Sequence, residues 1–222
     1  MEYIRVQSIK DPLFVKMHQL MQVVFPPEEV YAFEKWEGPL QDGGIHVYTA
    51  VEGDEVVGAT EYRYYSGMRV AMTDFTIIGK ANSGVGRFLL RSREKHLARL
   101  AKESGTKSIG MFAEIYNPQT VDYSFGGIAP MNPHIRREVL SHIGYKRLDF
   151  PYLHPSWQEN GEAVDGLDLC FLPQDEELGE LPSALVAEFL TTYYSALPDK
   201  PAEWQKMIDN LKKQETIALK PI

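Results

Sequence analysis

Gly84-Val85-Gly86 stands between the apolar run Met72–Ile78 and a basic, helix-patterned stretch, Arg87–Lys102. Glycine has no side chain to block an approaching ligand, so a loop of this build lets backbone N–H groups at a helix N-terminus close on a phosphate. The pattern points to a phosphate-bearing ligand at residues 79–87. Two common phosphate loops do not fit it. A P-loop needs Lys and then Ser or Thr after the second glycine of Gly79-x-x-x-x-Gly84, where this chain has Val85 and Gly86. A dinucleotide fingerprint needs a third glycine at 89, and Leu89 stands there. Other chemistries find less support. His134 and Glu138 share a helix face, but there is no His-Glu-x-x-His and two such residues cannot complete a zinc site. No Gly-x-Ser-x-Gly elbow is present. The single cysteine, Cys170, lies in an apolar stretch, reads as a small buried hydrophobe and cannot form an intramolecular disulfide.

The elements that must position this loop follow from periodicity. Residues 3–9 alternate as a short strand, and Asp11-Pro12 opens a helix carrying Phe14, Met17, Leu20, Met21 and Val24. Residues 26–44 read as a loop anchored by Trp36. Strands at 45–52, 55–65 and 68–78, joined by Gly53-Asp54 and Ser66-Gly67, form a Val-, Tyr- and Thr-rich meander. The helix after the glycine loop turns Val85, Phe88, Leu89, Leu97, Leu100 and Ala101 toward the sheet and Arg87, Arg91, Arg93 and Lys102 mostly away. A strand at 107–115 follows, then a helix from Asn132-Pro133 through His142 closed by Gly144, and strands at 145–150 and 163–172. Beyond residue 173 an acidic link leads to two amphipathic stripes, Leu185, Val186, Phe189, Leu190, Tyr193, Leu197 and then Trp204, Met207, Ile208, Leu211. Such stripes pack against the domain or a partner subunit, which makes a homodimer one expected state.

Composition sets the outer bounds. The chain has 222 residues, 44% hydrophobic and 24% charged, enough for a sizeable core and the balance of a globular protein. A net charge of −8 argues against a general nucleic-acid binder, which needs a basic face. The N-terminus lacks the basic and apolar regions of a signal peptide, and no run approaches the ~18 apolar residues of a membrane span. The expectation is a cytoplasmic protein without membrane partners.

The loop in this context resembles motif A of the GNAT acyl-CoA N-acetyltransferases: Gln or Arg, two residues, Gly, any residue, then Gly or Ala. The corresponding residues are Ala81, Asn82, Ser83, Gly84, Val85 and Gly86, with both glycines matching and Ala81 in place of Gln or Arg. The order of elements is similar to the family's over roughly residues 3–150. The resemblance implies an α/β fold with a mixed, mostly antiparallel central sheet flanked by helices. Residues 1–173 would form a GNAT-like acyl-CoA-binding domain and 174–222 a C-terminal helical extension.

The resemblance also implies a site and an activity, acetyl transfer from acetyl-CoA to a primary amine by direct attack, without a metal. The CoA pyrophosphate would meet N–H groups of Asn82, Ser83, Gly84, Val85, Gly86 and Arg87. The pantetheine arm would pair along the fourth strand at Thr76, Ile77 and Ile78, with Asn117 hydrogen-bonding it. Arg91 and Arg93 have two readings, charge toward the phosphates or a solvated helix face. An amine begins as an ammonium with a pKa of ~10, so a base must remove a proton. Glu114 ranks first for this, before Glu61 and Asp74. The tyrosine that often serves the family as general acid is replaced by Leu140, which leaves Tyr116, Tyr123, Ser141 and His142 as nearby donors. That departure keeps open a non-catalytic acyl-CoA-binding or regulatory module. Tyr123, Tyr152, His154 and Trp157 would line the acceptor side, or else pin down their own loops.

Overall fold

The computed structural model describes residues 1–25, 30–80, 83–120, 132–155, 163, 166–197 and 199–222. The fold is mixed α/β, with mostly antiparallel strands flanked by helices. The chain divides into two compact units, Met1–Met111 with Tyr123–Arg136, and Phe112–Asp122 with Arg137–Ile222.

The first unit is built on a meander. Strands β1 (Glu2–Val6), β2 (Ile45–Glu52), β3 (Glu55–Tyr65) and β4 (Val70–Ile78) pair antiparallel in that order. Their registers contain two irregularities. Glu61 pairs with Phe75 and Arg63 with Met72, so Thr73 and Asp74 together oppose Tyr62 and form a bulge in β4. A second bulge lies in β3 beside Ala50 and Val51. Helix α1 (Pro12–Val24) starts as its sequence predicts, with the Asp11 carboxylate accepting from the Leu13 N–H at 2.8 Å and Pro12 in the first turn. The segment expected to be a loop at 26–44 instead holds a 3-10 turn, Phe33–Trp36, running into a short helix, α2 (Glu37–Gln41). Trp36 is the anchor, set edge-on to Phe14 at 6.0 Å and to Phe75 at 6.1 Å.

Helix α3 (Val85–Glu103) covers the opposite sheet face, because neighbours along a strand point to opposite sides. Its buried stripe is Val85, Leu89, Arg93, Leu97 and Ala101, a strict four-residue spacing. Arg93 therefore faces the sheet rather than solvent, correcting the outward placement expected for it. Close approach at the head of the helix depends on Gly58. A methyl group there would lie 2.5 Å from Val85 Cγ1 and 2.7 Å from the Ile77 carbonyl oxygen.

In the second unit the strand order is β5 (Gly110–Tyr116), β7 (Leu167–Pro173), β6 (Lys146–Leu148), β9 (Thr216–Pro221) and β8 (Glu180–Pro182). Helix α4 (Pro133–Ile143) runs across the division of the chain. The Asn132 side chain accepts from His134 and Ile135 N–H groups at its start, and Gly144, at φ 105°, ends it. The two C-terminal helices are present as α5 (Ser183–Tyr193) and α6 (Ala202–Leu211). They are accompanied by β8 and β9, which helical periodicity did not foresee, and β9 pairs with β6 along Leu148↔Leu219. The core is aromatic, with Phe112 stacked on Phe189 at 4.1 Å and close to Phe171, and Tyr194 edge-on to Trp204. Cys170 is fully buried, which raises its thiol pKa and keeps it protonated. No helix among the described residues is long and apolar enough to cross a membrane.

Candidate functional site

The glycine loop ends at Gly84, whose φ of 76° puts it in the left-handed region that a side chain disfavours. Helix α3 begins at Val85, and among the described residues no side chain caps it. The Gly84 carbonyl already accepts from the Phe88 N–H at 3.0 Å, so the first-turn N–H groups of Val85, Gly86 and Arg87 are the donors left for an anion, with the helix dipole behind them. Ser83 donates its hydroxyl to the Lys80 carbonyl at 2.7 Å, closing the loop on itself. Arg87 is exposed and has no ion pair among the described residues. Asn82 lies outside the described residues.

Beneath α3, one Arg93 guanidinium nitrogen donates to the hydroxyls of Thr60, Thr73 and Thr76 at 3.1, 3.0 and 2.8 Å. Three hydroxyl oxygens thus solvate a buried cation that has no carboxylate partner among the described residues. The threonine hydroxyls come from β3 and β4, Thr73 within the β4 bulge and Thr76 beyond it, so the guanidinium bridges the two strands at the bulge. Thr76, expected along the cofactor arm, has its hydroxyl turned to α3, and Ile77 is fully buried. Ile78 is half-buried and is the atom group closest to a methyl added at Gly86.

Glu61 and Asp74 meet across the same strands. Glu61 is only 4% exposed, and burial, then the Asp74 charge and a hydrogen bond to Asp74, hold its pKa well above the carboxylate range. Glu61 therefore holds its proton more firmly than an exposed carboxylate does, whereas Asp74 is exposed.

The second unit contains a different carboxylate centre. One Glu114 oxygen accepts hydrogen bonds from both the Tyr152 and Tyr194 hydroxyls, which lie 2.8 Å from each other. The other oxygen is 3.9 Å from His154 Nε2. Burial, followed by the Glu114 charge, raises both tyrosine pKa values well above normal, so both phenols stay protonated and act as donors. Two charge-assisted bonds on one oxygen fix the carboxylate and leave the second oxygen as its proton-accepting face. Next to this centre a cavity of about 410 Å³ is lined by Asn117, Tyr152, Asp149, Arg147 and Asp168, among others. Arg137 pairs with Asp168 at 2.6 Å and also donates to the Tyr116 carbonyl, tying α4 to the end of β5.

No protein-family model matches this sequence, and no curated protein sequence matches it either. Solved structures do. A GNAT-family protein from Bacteroides thetaiotaomicron, named as an acetyltransferase, superposes with a TM-score of 0.61 over 89% of this chain and 97% of its own, at 16% identity. The fold is that of the GNAT acetyltransferases. An aminoglycoside 6'-acetyltransferase type Ii matches with a TM-score of 0.51 at 18% identity over 77% of this chain and 95% of its own. An aminoglycoside 6'-N-acetyltransferase complexed with coenzyme A matches with a TM-score of 0.51 at 15% identity over the same shares, 77% and 95%.

Within this GNAT fold the structure gathers some of the expected residues and disperses others. Glu114, Tyr152 and His154 come together in the second unit. Asn117 lines the cavity beside them, its backbone N–H donating to the Gly166 carbonyl and its side chain capping Gln119. His142 is exposed on α4 and bonds the Glu138 carbonyl of its own helix, away from that centre. Tyr123 and Trp157 lie outside the described residues. Two participants escaped sequence reasoning. Tyr194 was hidden behind its neighbour Tyr193, although Val186, Leu190 and Tyr194 share a four-residue spacing. Arg93 carried the same kind of signal, being the middle member of the α3 stripe.

Proposed function

We propose that this protein is an acetyl-CoA-dependent N-acetyltransferase acting on a primary amine. The observation that carries the reading is a left-handed Gly84 at an uncapped α3 N-terminus within a GNAT fold. It supplies fixed N–H donors and a helix dipole for the CoA pyrophosphate. In this reading residues 1–173 are the acyl-CoA-binding domain and 174–222 its C-terminal extension. Thr76 to Ile78 meet the pantetheine arm, and backbone N–H groups near Ile77 polarise the thioester carbonyl.

Glu114 is the general base. A proton passes from the substrate ammonium to the open oxygen of Glu114, directly or through water. The freed nitrogen lone pair attacks the thioester carbonyl carbon, the attacking nitrogen gives up a second proton to solvent as the C–S bond breaks, and the thiolate leaves and takes a proton from solvent. Tyr152 and Tyr194 hold their protons too firmly to supply that one; they orient Glu114. His154, 3.9 Å from the open oxygen, and the cavity beside Tyr152 give the acceptor its surroundings.

Isothermal calorimetry with acetyl-CoA tests the reading, with Gly84→Glu as the variant whose bulk and charge block the phosphate site. Binding by the parent, lost in a variant with unchanged circular dichroism, followed by turnover in an amine screen, supports it. No binding by the parent removes it. Binding without turnover of any amine replaces it with an acyl-CoA-binding module, the reading that Leu140 at the usual tyrosine position favours.

A further inference from the structure

A second constellation lies at the outer edge of the first unit, on the α3 face of the sheet. Tyr3 of β1 and Tyr48 of β2 stack at 4.2 Å with an interplanar angle of 4°. Together with Ser92, Lys95, His96 and Arg99 of α3 they line a groove of about 320 Å³. Among the described residues no carboxylate lines it. Lys95 has no ion pair among the described residues, and Arg99 has only a 3.5 Å pair with Glu103 in which both side chains are largely exposed, a geometry worth little. Arg5, two residues along β1 from Tyr3 and so on the same face, donates only to the Ile45 carbonyl at 3.4 Å, and its buried Nε has no partner among the described residues.

The histidines report the same excess of positive charge. His46 and His96 lie edge to face at 4.8 Å. Burial first, then the neighbouring cations, pushes both imidazoles down to about 4: His96, Arg5, Arg63 and Arg99 for His46, and Arg99 and Arg5 for His96. The buried Nδ1 of His46 has no hydrogen-bond partner among the described residues. Tyr62, whose own pKa is raised by burial, is hydrogen-bonded to His96 Nδ1 at 2.7 Å and to the Tyr3 hydroxyl at 3.1 Å. That chain holds the His96 ring in the wall of the groove.

Cations with little counter-charge, a pair of imidazoles and a stacked aromatic wall have one common complement. We propose that this groove binds a small organic anion, an oxyanion head group against Lys95, Arg99 and His96 with a planar body along Tyr3 and Tyr48. Charge-assisted bonds hold the head group, and the tyrosines bury the body. Linkage makes binding pH-dependent: a bound anion offsets the field of Arg5, Arg63, Lys95 and Arg99 and raises the His46 and His96 pKa values, so affinity strengthens as pH falls toward them. The proposal does not rest on the acetyl-transfer reading.

NMR of the His46 and His96 ring protons tests it, because those nuclei sit in or against the groove itself. Phenyl phosphate and benzoate, titrated to millimolar concentration at pH 6, should shift both resonances, the tighter of the two naming the head group. Phenol should not shift them, and inorganic phosphate should bind more weakly than phenyl phosphate. A Lys95→Gln/Arg99→Gln variant, altered only at exposed side chains, should lose about tenfold or more in affinity with its circular dichroism unchanged. No shift with either aryl anion, or equal affinity in the variant, overturns the site. Equal shifts with phenol remove the role of charge, and equal affinity for inorganic phosphate removes the role of the tyrosines.

Discussion

Alanine at position 58 should unseat the head of α3. The added methyl would stand 2.5 Å from Val85 Cγ1, 2.7 Å from the Ile77 carbonyl oxygen and 3.2 Å from Leu89 Cδ1. The carbonyl belongs to β4, held in register by the pairs Gly58↔Ile78 and Ala59↔Ile77, so the sheet cannot give way easily. The helix must move instead, and Val85 and Leu89 are fully buried in a cluster with Ala50 and Val57. Overpacking of this kind costs ~1–3 kcal/mol, and a backbone clash places it at the upper end. Stiffening of the unfolded chain returns about 0.4–1 kcal/mol, which leaves a net loss of about 2 kcal/mol. For a chain of this size that is a fall of roughly 4–8 °C in Tm. Two glycines serve as internal comparisons. Alanine at Gly86 meets only the flexible end of Ile78 at 2.9 Å and gains helix propensity, so its stability should stay within about 1 kcal/mol of the parent. Alanine at Gly67 meets nothing within 4 Å and should be neutral. Urea and thermal unfolding measure the stabilities, and acetyl-CoA calorimetry should show weaker binding for Gly58→Ala because Val85 opens the helix proposed to hold the phosphate. Parent-like stability of Gly58→Ala, or an equal loss in Gly86→Ala, would refute the packing argument.

Glu114→Gln should lower kcat for acetyl transfer by about 10²–10⁴-fold while leaving the acetyl-CoA Kd unchanged, and steady-state kinetics beside calorimetry separate the two. Tyr194→Phe removes one donor from a charged acceptor and should cost about 1.5–3 kcal/mol in urea unfolding. Arg93→Ala should cost about 2–4 kcal/mol by opening a void beneath α3, whereas Arg93→Met, which keeps the stem and deletes the buried charge, should cost clearly less; equal losses would show that the charge itself holds β4. His46 and His96 have folded pKa values of about 4 against an unfolded value near 6.5. Between those values the unfolded chain binds more protons, so stability should fall as pH drops from about 6.5 to 4, and His46→Gln should flatten part of that slope in pH-dependent unfolding.

Local signals were the ones a sequence could carry. Asp11, Asn132, Gly84 and Gly144 each act within a few residues of themselves, and each helix end they mark is where spacing places it. The meander was legible for the same reason, since alternation and short turns fix both strands and pairing. Long-range partnership was not. Glu114 and Tyr194 are 80 residues apart, and a single hydroxyl in an amphipathic stripe gives no sign of the carboxylate it will meet. Spacing puts Arg93 in the buried stripe of α3 while its charge argues for solvent, and three threonine hydroxyls make the burial tolerable. The strand expected at 145–150 shortens to Lys146–Leu148, which pairs with β9 from Lys146↔Pro221 to Leu148↔Leu219. The order β1-α1-β2-β3-β4-α3-β5 that periodicity predicts is present, with the short α2 added between α1 and β2.

The place of β9 constrains how the protein can be made. Strands β2 to β4 are joined by short connections, β1 reaches β2 through α1 and α2, and all four neighbour one another in chain order, so the sheet of the first unit can form as soon as residue 78 is available. The sheet of the second unit has no such order. Strand β9, residues 216–221, lies between β6 and β8, yet it is synthesised after every other element of that unit. Until it arrives β6 presents a bare edge, an open template for pairing with a neighbouring chain. Aggregation during expression should therefore originate in the second half of the polypeptide, and a change at residues 216–221 that left catalysis untouched would still lower the yield of soluble protein.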